Sequence, residues 1–360
     1  MLPSSDIHGP KVCIACWGHV PAADIKPLPP ALVNRAETGG CRRWRENPFL
    51  GILAAPGQRL AGPERHPNPH QGQAIMLKRT LLLAGVAASL ALVAPVSASE
   101  STLNRIKQSG TLKLGYRENS VPFSFTGDDR QPRGYTVDLC RIVADDIGKQ
   151  LNVPKLDVRW VPVTAQSRFA ALKSGEIDLE CGNTTQTISR RADFDFSLMT
   201  FVDGAGLLFR EGEVPTTVES LKGQRVAVVA GTTTETTLDQ MIKAGKLGML
   251  LIRVPDHDAA IKALTDKTAT AYAADRTVLV TTALIRGKGQ PFALAEMQFS
   301  YEPYGLMMRR DDDLRLAVDR TLARLYRSGE IGPIVKRWFE PFGKPGDALQ
   351  AMFLLNGLPE

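Results

Sequence analysis

Five consecutive small or amide side chains, Asn183, Thr184, Thr185, Gln186 and Thr187, run on to the paired cations Arg190 and Arg191. Such side chains compete with regular structure and favour caps and turns, so the stretch is expected in a loop. A donor-rich loop followed by a guanidinium makes a socket for a carboxylate, because the planar fork of an arginine matches two oxygens at once. Elsewhere Arg117, Arg168, Thr232-Thr233, His257 and Asp275 offer further cations, hydroxyls and one acid. Each also has a plainer reading. The loop can be a solvated surface feature, Asp275 a helix cap, His257 a surface imidazole and Arg168 half of an internal salt bridge.

The elements around these residues decide between the readings. Ser174-Gly175 signals a turn, after which Glu176, Asp178 and Glu180 alternate with Ile177, Leu179 and Cys181. That is a strand with the acids outward and one buried face, ended by Gly182. Before it, Leu112, Leu114 and Tyr116 form a strand. Val137, Leu139, Ile142, Val143 and Ile147 have helical spacing, Val158 to Val163 form a strand, and Phe169 to Leu172 a short helix. The order β-α-β-α-β implies a parallel sheet. A second unit of the same kind has strands at Arg225 to Ala230, Leu251 to Val254 and Thr270 to Ala274, with helices at Glu235 to Ile242 and Asp258 to Leu264. A strand at Leu306 to Met308 and helices at Leu314 to Tyr326 and Ile331 to Phe339 follow, with Trp338 and Phe339 read as core. The fold class is therefore α/β, in two units. Arg117, Asn183 to Arg190, Thr232-Thr233, His257 and Asp275 each fall at or beyond a strand's carboxyl end, where open α/β sheets bind ligands.

The charge balance of 44 basic and 38 acidic residues is uneven, with 34 against 33 after residue 98. No basic stripe with interleaved aromatics occurs, so no nucleic-acid partner is expected. Residues 1–75 hold 11 of the 24 prolines, four of the five histidines and no apolar periodicity. They read as a disordered or spurious upstream extension. Cys13 and Cys16 lack the second ligand pair a zinc site needs, and no metal or cofactor is expected. Residues 76–98 have the form of a signal peptide: Lys78-Arg79, an apolar run from Thr80 to Ala94, and Val96-Ser97-Ala98 as a cleavage site. Export to the periplasm after cleavage would leave Cys140 and Cys181. Placed on a helix and at a strand end, they are able to form a disulfide there without being required to.

Gly134-Tyr135-Thr136-Val137-Asp138-Leu139, followed by Ile142-Val143-Ala144 and Ile147, resembles the signature of the family 3 solute-binding proteins of ABC transporters, with Thr136 in a position that is usually acidic. YRENSVPFSF, Gln166 to Arg168, ECGNTT and Gly231 to Glu235 resemble its glutamate/aspartate-binding subgroup. The likeness covers residues 101–340. It implies the two-lobed periplasmic-binding-protein fold of type II, each lobe a sheet flanked by helices. Lobe 1 would comprise 101–203 and 305–360 and lobe 2 207–301, joined by hinge crossings near Phe201 to Leu207 and Ser300 to Leu306.

The resemblance also implies roles. Arg190 with the Thr185 backbone and hydroxyl would clamp an α-carboxylate, with Thr232 and Thr233 closing from lobe 2. Asp275 and Asn183 would receive the α-ammonium group. Arg117, Arg168 and His257 would hold a side-chain carboxylate, with the acidic neighbours of His257 favouring its protonation. Ala165 replaces a serine expected three residues before Arg168. The implied protein is a monomer that delivers L-glutamate or L-aspartate to an inner-membrane ABC permease. Glutamine or asparagine binding is the nearest variant. Catalysis like that of cyclic-carboxylate dehydratases is the rival, but no Ser-His-Asp or paired-carboxylate arrangement supplies an acid/base pair.

Overall fold

The computed structural model describes residues 101–217, 219–342 and 346–360. The upstream extension, the signal peptide and the Cys13–Cys16 pair lie outside the described residues. The described residues fall in one compact unit built on two five-stranded sheets.

Strand β1 (Thr111–Arg117) leads to three short strands, β2 (Asn119–Ser120), β3 (Ser124–Thr126) and β4 (Pro132–Arg133), which form a small sheet of their own. Next come β5 (Asp157–Val163), β6 (Leu179–Glu180) and β7 (Phe194–Asp203). Only Gly204 separates β7 from β8 (Ala205–Arg210), which is followed by β9 (Arg225–Val229), β10 (Leu250–Val254), β11 (Ala271–Asp275) and β12 (Phe292–Leu294). The last strand is β13 (Glu302–Arg309). The first sheet has the order β5-β1-β6-β13-β7 and the second β10-β9-β11-β8-β12. In each, three parallel strands form one side: β5-β1-β6 and β10-β9-β11. The remaining strands are β13 and β7, and β8 and β12, with antiparallel pairing at β6–β13–β7 and β11–β8–β12. The parallel βαβ cores match the sequence reading, and the antiparallel strands include the chain segments that pass from one sheet to the other.

The position of β6 corrects one expectation. Glu176 is exposed, but Asp178 and Glu180 are buried at 1% and 0%. Strand β6 lies between β1 and β13, in a sheet covered on both faces, so neither of its faces looks outward. Asp178 is satisfied by Arg105 at 2.7 Å and Arg309 at 3.1 Å. Glu180 is oriented towards the functional residues described below.

Helix Tyr135–Gln150 starts at Gly134, whose φ of 132° and close approach to the Phe123 carbonyl leave no space for a side chain. Phe123, Phe201 and Phe339 pack with ring centres 4.8 to 5.6 Å apart, Phe201 stacked on Phe339 and Phe123 edge-on to Phe201, and join β7 to helix Ile331–Phe339. Phe339 is core, as expected, and Trp338 is half-buried with Nε1 donating to Asp138 at 2.8 Å. Cys140 and Cys181 are joined by a disulfide between helix Tyr135–Gln150 and the end of β6. Two helices of more than one turn fall where no element was expected, Arg276–Arg286 and Asp347–Asn356.

Candidate functional site

All nine residues singled out in the sequence line one cavity: Arg117, Arg168, Asn183, Thr185, Arg190, Thr232, Thr233, His257 and Asp275. They reach it from both sheets. Arg117 ends β1, with its backbone N–H donating to the Ser124 hydroxyl at 2.9 Å. Arg168 opens helix Arg168–Ser174, and Asp275 ends β11.

The Asn183–Thr187 stretch is not a free surface loop. Gln186 N–H donates to the Pro303 carbonyl at 2.7 Å and Gly305 N–H to the Thr184 carbonyl at 3.1 Å, pinning the loop to β13. Thr187 then caps a one-turn helix, Ile188–Arg191, its hydroxyl accepting from Arg190 N–H. This turn aims Arg190 inward, where its Nη1 donates to the Thr185 carbonyl at 2.8 Å. Arg191 stays exposed and donates to Gln186, so the surface reading holds for one of the two arginines.

The cavity is rich in buried positive charge. Arg117 and Arg168 are 4% and 3% exposed, and Arg190 is half-buried. Loss of water lowers the pKa of all three, and mutual repulsion lowers those of Arg117 and Arg168 further. Among the described residues Arg168 makes no salt bridge. Its guanidinium donates to the carbonyl of Ala165 and, at 3.5 Å, to that of Gly231, while its buried Nε has no partner among the described residues. The guanidinium groups of Arg168 and Arg190 lie 4.5 and 5.3 Å from the ring centre of Phe169, which positions both. Glu180 supplies an opposing charge felt by all three arginines, although both its buried oxygens lack hydrogen-bond partners among the described residues.

The second sheet contributes a helix N-terminus. Thr232 caps helix Thr233–Lys243: its hydroxyl accepts from Glu235 N–H and donates to the Val229 carbonyl, while Glu235 accepts from Gly231 N–H. The Thr232 hydroxyl proton is therefore committed, and what the turn offers an anion is its first backbone N–H groups and the helix dipole.

Negative charge gathers around Asp275. It occupies the N-cap position of helix Arg276–Arg286, yet its side chain makes no capping bond. Asp203, at the end of β7, takes that role by accepting from Thr277 N–H at 3.1 Å. Asp275 instead accepts hydroxyl protons from Tyr304 and Thr234. Burial, with Glu302 and Asp203 nearby, pushes its carboxyl well above the usual range, and burial pushes Asp203 up to about 6. An ammonium group placed here would relieve that repulsion. Asn183, which lines the same cavity, has a buried Oδ1 without a hydrogen-bond partner among the described residues.

His257 departs from expectation. Asp256 caps helix His257–Thr265 through Ala259 N–H at 2.7 Å, and Asp258 pairs with Arg286 at 3.4 Å, so neither acid serves the imidazole. The ring faces the Tyr272 hydroxyl at 2.7 Å and the charge of Arg117. Burial and that cation push its pKa down to about 3, leaving it neutral. Sequence reasoning missed Phe169, Glu180, Tyr272, Tyr304 and Glu302 as parts of the site. Of these, only the acids inside apolar strands left a sequence signal.

The model of the bacterial extracellular solute-binding proteins, family 3, matches residues 112–341. The chain is 36% identical over 264 residues to the L-glutamate/L-aspartate-binding protein of Pseudomonas aeruginosa, covering 72% of this chain and 87% of that relative. It is 33% identical over 266 residues to the glutamate/aspartate import solute-binding protein of Salmonella typhimurium, covering 73% and 88%. Among solved structures, a mutant of ArgBP from T. maritima is similar at a TM-score of 0.59 and 25% identity, over 66% of this chain and 99% of that one. With that match spanning both sheets and every residue of the cavity, the chain belongs to the bacterial extracellular solute-binding proteins of family 3.

Proposed function

We propose that this chain is the periplasmic binding component of an ABC amino-acid importer and that it carries L-glutamate or L-aspartate to the permease as a monomer. The supporting observation is the charge layout of one cavity: three largely buried guanidinium groups together with the buried carboxyl of Asp275. A free acidic amino acid has two carboxylates and one ammonium. Arg190, the Thr185 backbone and the N-terminus of helix Thr233–Lys243 form one carboxylate socket. Arg117, Arg168 and the neutral His257 form the other, and Asp275 with Asn183 receives the ammonium. Lobe 1 (101–203 and 305–360) and lobe 2 (207–301) would close on the ligand by rotation about the crossings, giving the permease a loaded form to distinguish from the empty one.

Magnitudes favour an acid over an amide. A hydrogen bond to a charged group contributes about 1.5–3 kcal/mol, and leaving one member of a buried charge pair alone costs roughly 3–5 kcal/mol. A neutral side chain would leave Arg117 and Arg168 in that position. The test is calorimetric titration of L-Glu, L-Asp, L-Gln and L-Asn into protein refolded from denaturant to remove carried ligand. Binding of both acids with amides weaker by about tenfold or more, about 1.4 kcal/mol, is expected. Equal binding of the amides would overturn the side-chain socket. Binding of none of the four would overturn the substrate. The enzyme reading predicts chemical change of the ligand, and unchanged ligand after prolonged incubation would count against it.

A further inference from the structure

Glu302 begins β13, is 1% exposed and stands behind the cavity wall without lining it. Its Oε2 accepts the hydroxyl protons of Thr185 at 2.5 Å and Thr233 at 2.7 Å, and its Oε1 accepts from Ser300 at 2.5 Å. The two threonines come from different sides of the cavity: Thr185 is pinned to the first sheet, and Thr233 opens a helix that follows β9 of the second. Their hydroxyl oxygens are 3.3 Å apart, so one could in principle donate to the other. The carboxylate oxygen is closer and the stronger acceptor, so both protons go to Glu302.

A hydroxyl has one proton and two lone pairs. Once its proton is fixed on Glu302, each threonine presents only lone pairs to the cavity. We propose that Glu302 is a positioning residue that locks the Thr185 and Thr233 hydroxyls as acceptors, so that they serve the ligand's ammonium group and not its carboxylate. This rests on the acidic-amino-acid reading above. It reverses the role expected for the Thr185 hydroxyl, leaving backbone N–H groups and Arg190 to hold the α-carboxylate. Glu302 also acts on Arg190 directly, as the strongest of the opposing charges around that guanidinium.

The experiment compares L-glutamate with glutarate, which keeps both carboxylates and lacks the ammonium, in the wild-type protein, Glu302→Gln and Thr233→Val. A glutamine at 302 can donate its amide protons to the threonines and return their hydroxyl protons to the cavity. The ratio of L-glutamate to glutarate affinity is expected to fall about tenfold or more in E302Q, with glutarate itself changing by less than about threefold. T233V, which removes one acceptor, should lower the ratio in the same direction, and it carries the test alone if E302Q does not fold. An unchanged ratio in T233V, or equal weakening of both ligands, would overturn the proposal, because a hydroxyl serving the α-carboxylate would matter equally to both. Failure of the underlying substrate reading is distinguishable, since it would be seen in the wild-type protein as no binding of L-glutamate.

Discussion

His257 Nδ1 and the Tyr272 hydroxyl lie 2.7 Å apart in a pair closed to solvent, with exposures of 4% and 0%. This pair makes the stability of the ligand-free protein depend on pH. An unfolded histidine titrates near 6.5, whereas the folded one is pushed down to about 3. Between those values the unfolded chain takes up a proton that the folded imidazole refuses. His257 therefore destabilises the fold progressively as pH falls below 6.5 and has no such effect above it. His257→Gln removes this dependence. Between pH 7 and pH 4.5 the variant should lose roughly 2–3 kcal/mol less stability than the wild-type protein, measured by urea unfolding without ligand. Asp203, raised to about 6, acts with the opposite sign, but it is present in both proteins and cancels in the comparison. Parallel stability curves would refute the neutral-histidine assignment.

The Arg117 and Arg168 socket predicts a selectivity change more than a general loss of binding. Arg168→Met keeps the bulk beside Phe169 and removes the charge that a side-chain carboxylate would meet. L-Glutamate affinity should fall about a hundredfold, or about 2.7 kcal/mol, while L-glutamine falls by less than about tenfold. Equal losses for acid and amide would mean that Arg168 supports the cavity wall without facing the ligand's side chain.

Much of this site was legible because its residues stand at the ends of apolar strands, where a run of Val or Leu gives way to Thr, Asn or Gly. The βαβ order then placed those ends together. Helix Arg276–Arg286 was not legible, since RTVLVTTALIR is rich in β-branched residues that favour strands. Tertiary contacts decide it: Asp203 satisfies Thr277 N–H, the Thr281 hydroxyl bonds to the Val121 carbonyl at 2.8 Å, and Val278 and Leu279 are fully buried. Glu180 was misread for a related reason. Alternation assigns an acid to the outer face only when the strand has one, and the central place of β6 is a property of topology. His257 shows the limit of reading charge from neighbours, because capping and pairing turn Asp256 and Asp258 away from it.

The Cys140–Cys181 disulfide encloses a separation of 41 residues and ties helix Tyr135–Gln150 to the strand that precedes the ligand loop. In the chain-entropy model a loop of that size stabilises the fold by about 4 kcal/mol. The double variant C140S/C181S should therefore unfold at a lower urea concentration, by an amount equivalent to about 2–4 kcal/mol. Adding a thiol reductant to the wild-type protein should move its midpoint the same way and leave the double variant unchanged. A reductant-insensitive midpoint in protein whose Cys140–Cys181 bond is shown by cysteine mapping to be intact beforehand and reduced afterwards would remove the disulfide from the account of stability.

Gly182 gives the sharpest steric test of how Arg117 is placed. A Cβ at this position would lie 2.3 Å from Glu180 Oε1 and 2.9 Å from Arg117 Cγ, closer than side-chain atoms approach one another. The Glu180 carboxyl sits at the end of a side chain and has some freedom to swing, but Arg117 Cγ is held between a backbone fixed in β1 and a guanidinium in the cavity. Gly182→Ala should therefore displace the guanidinium from the socket. The expected result is a loss of L-glutamate affinity of about tenfold or more, with a stability cost of about 1–3 kcal/mol from overpacking. L-Glutamine binding should change less, because an amide draws less from the displaced charge. Wild-type selectivity in a folded Gly182→Ala protein would mean that Arg117 relaxes around the added methyl and that its position is not set by the glycine.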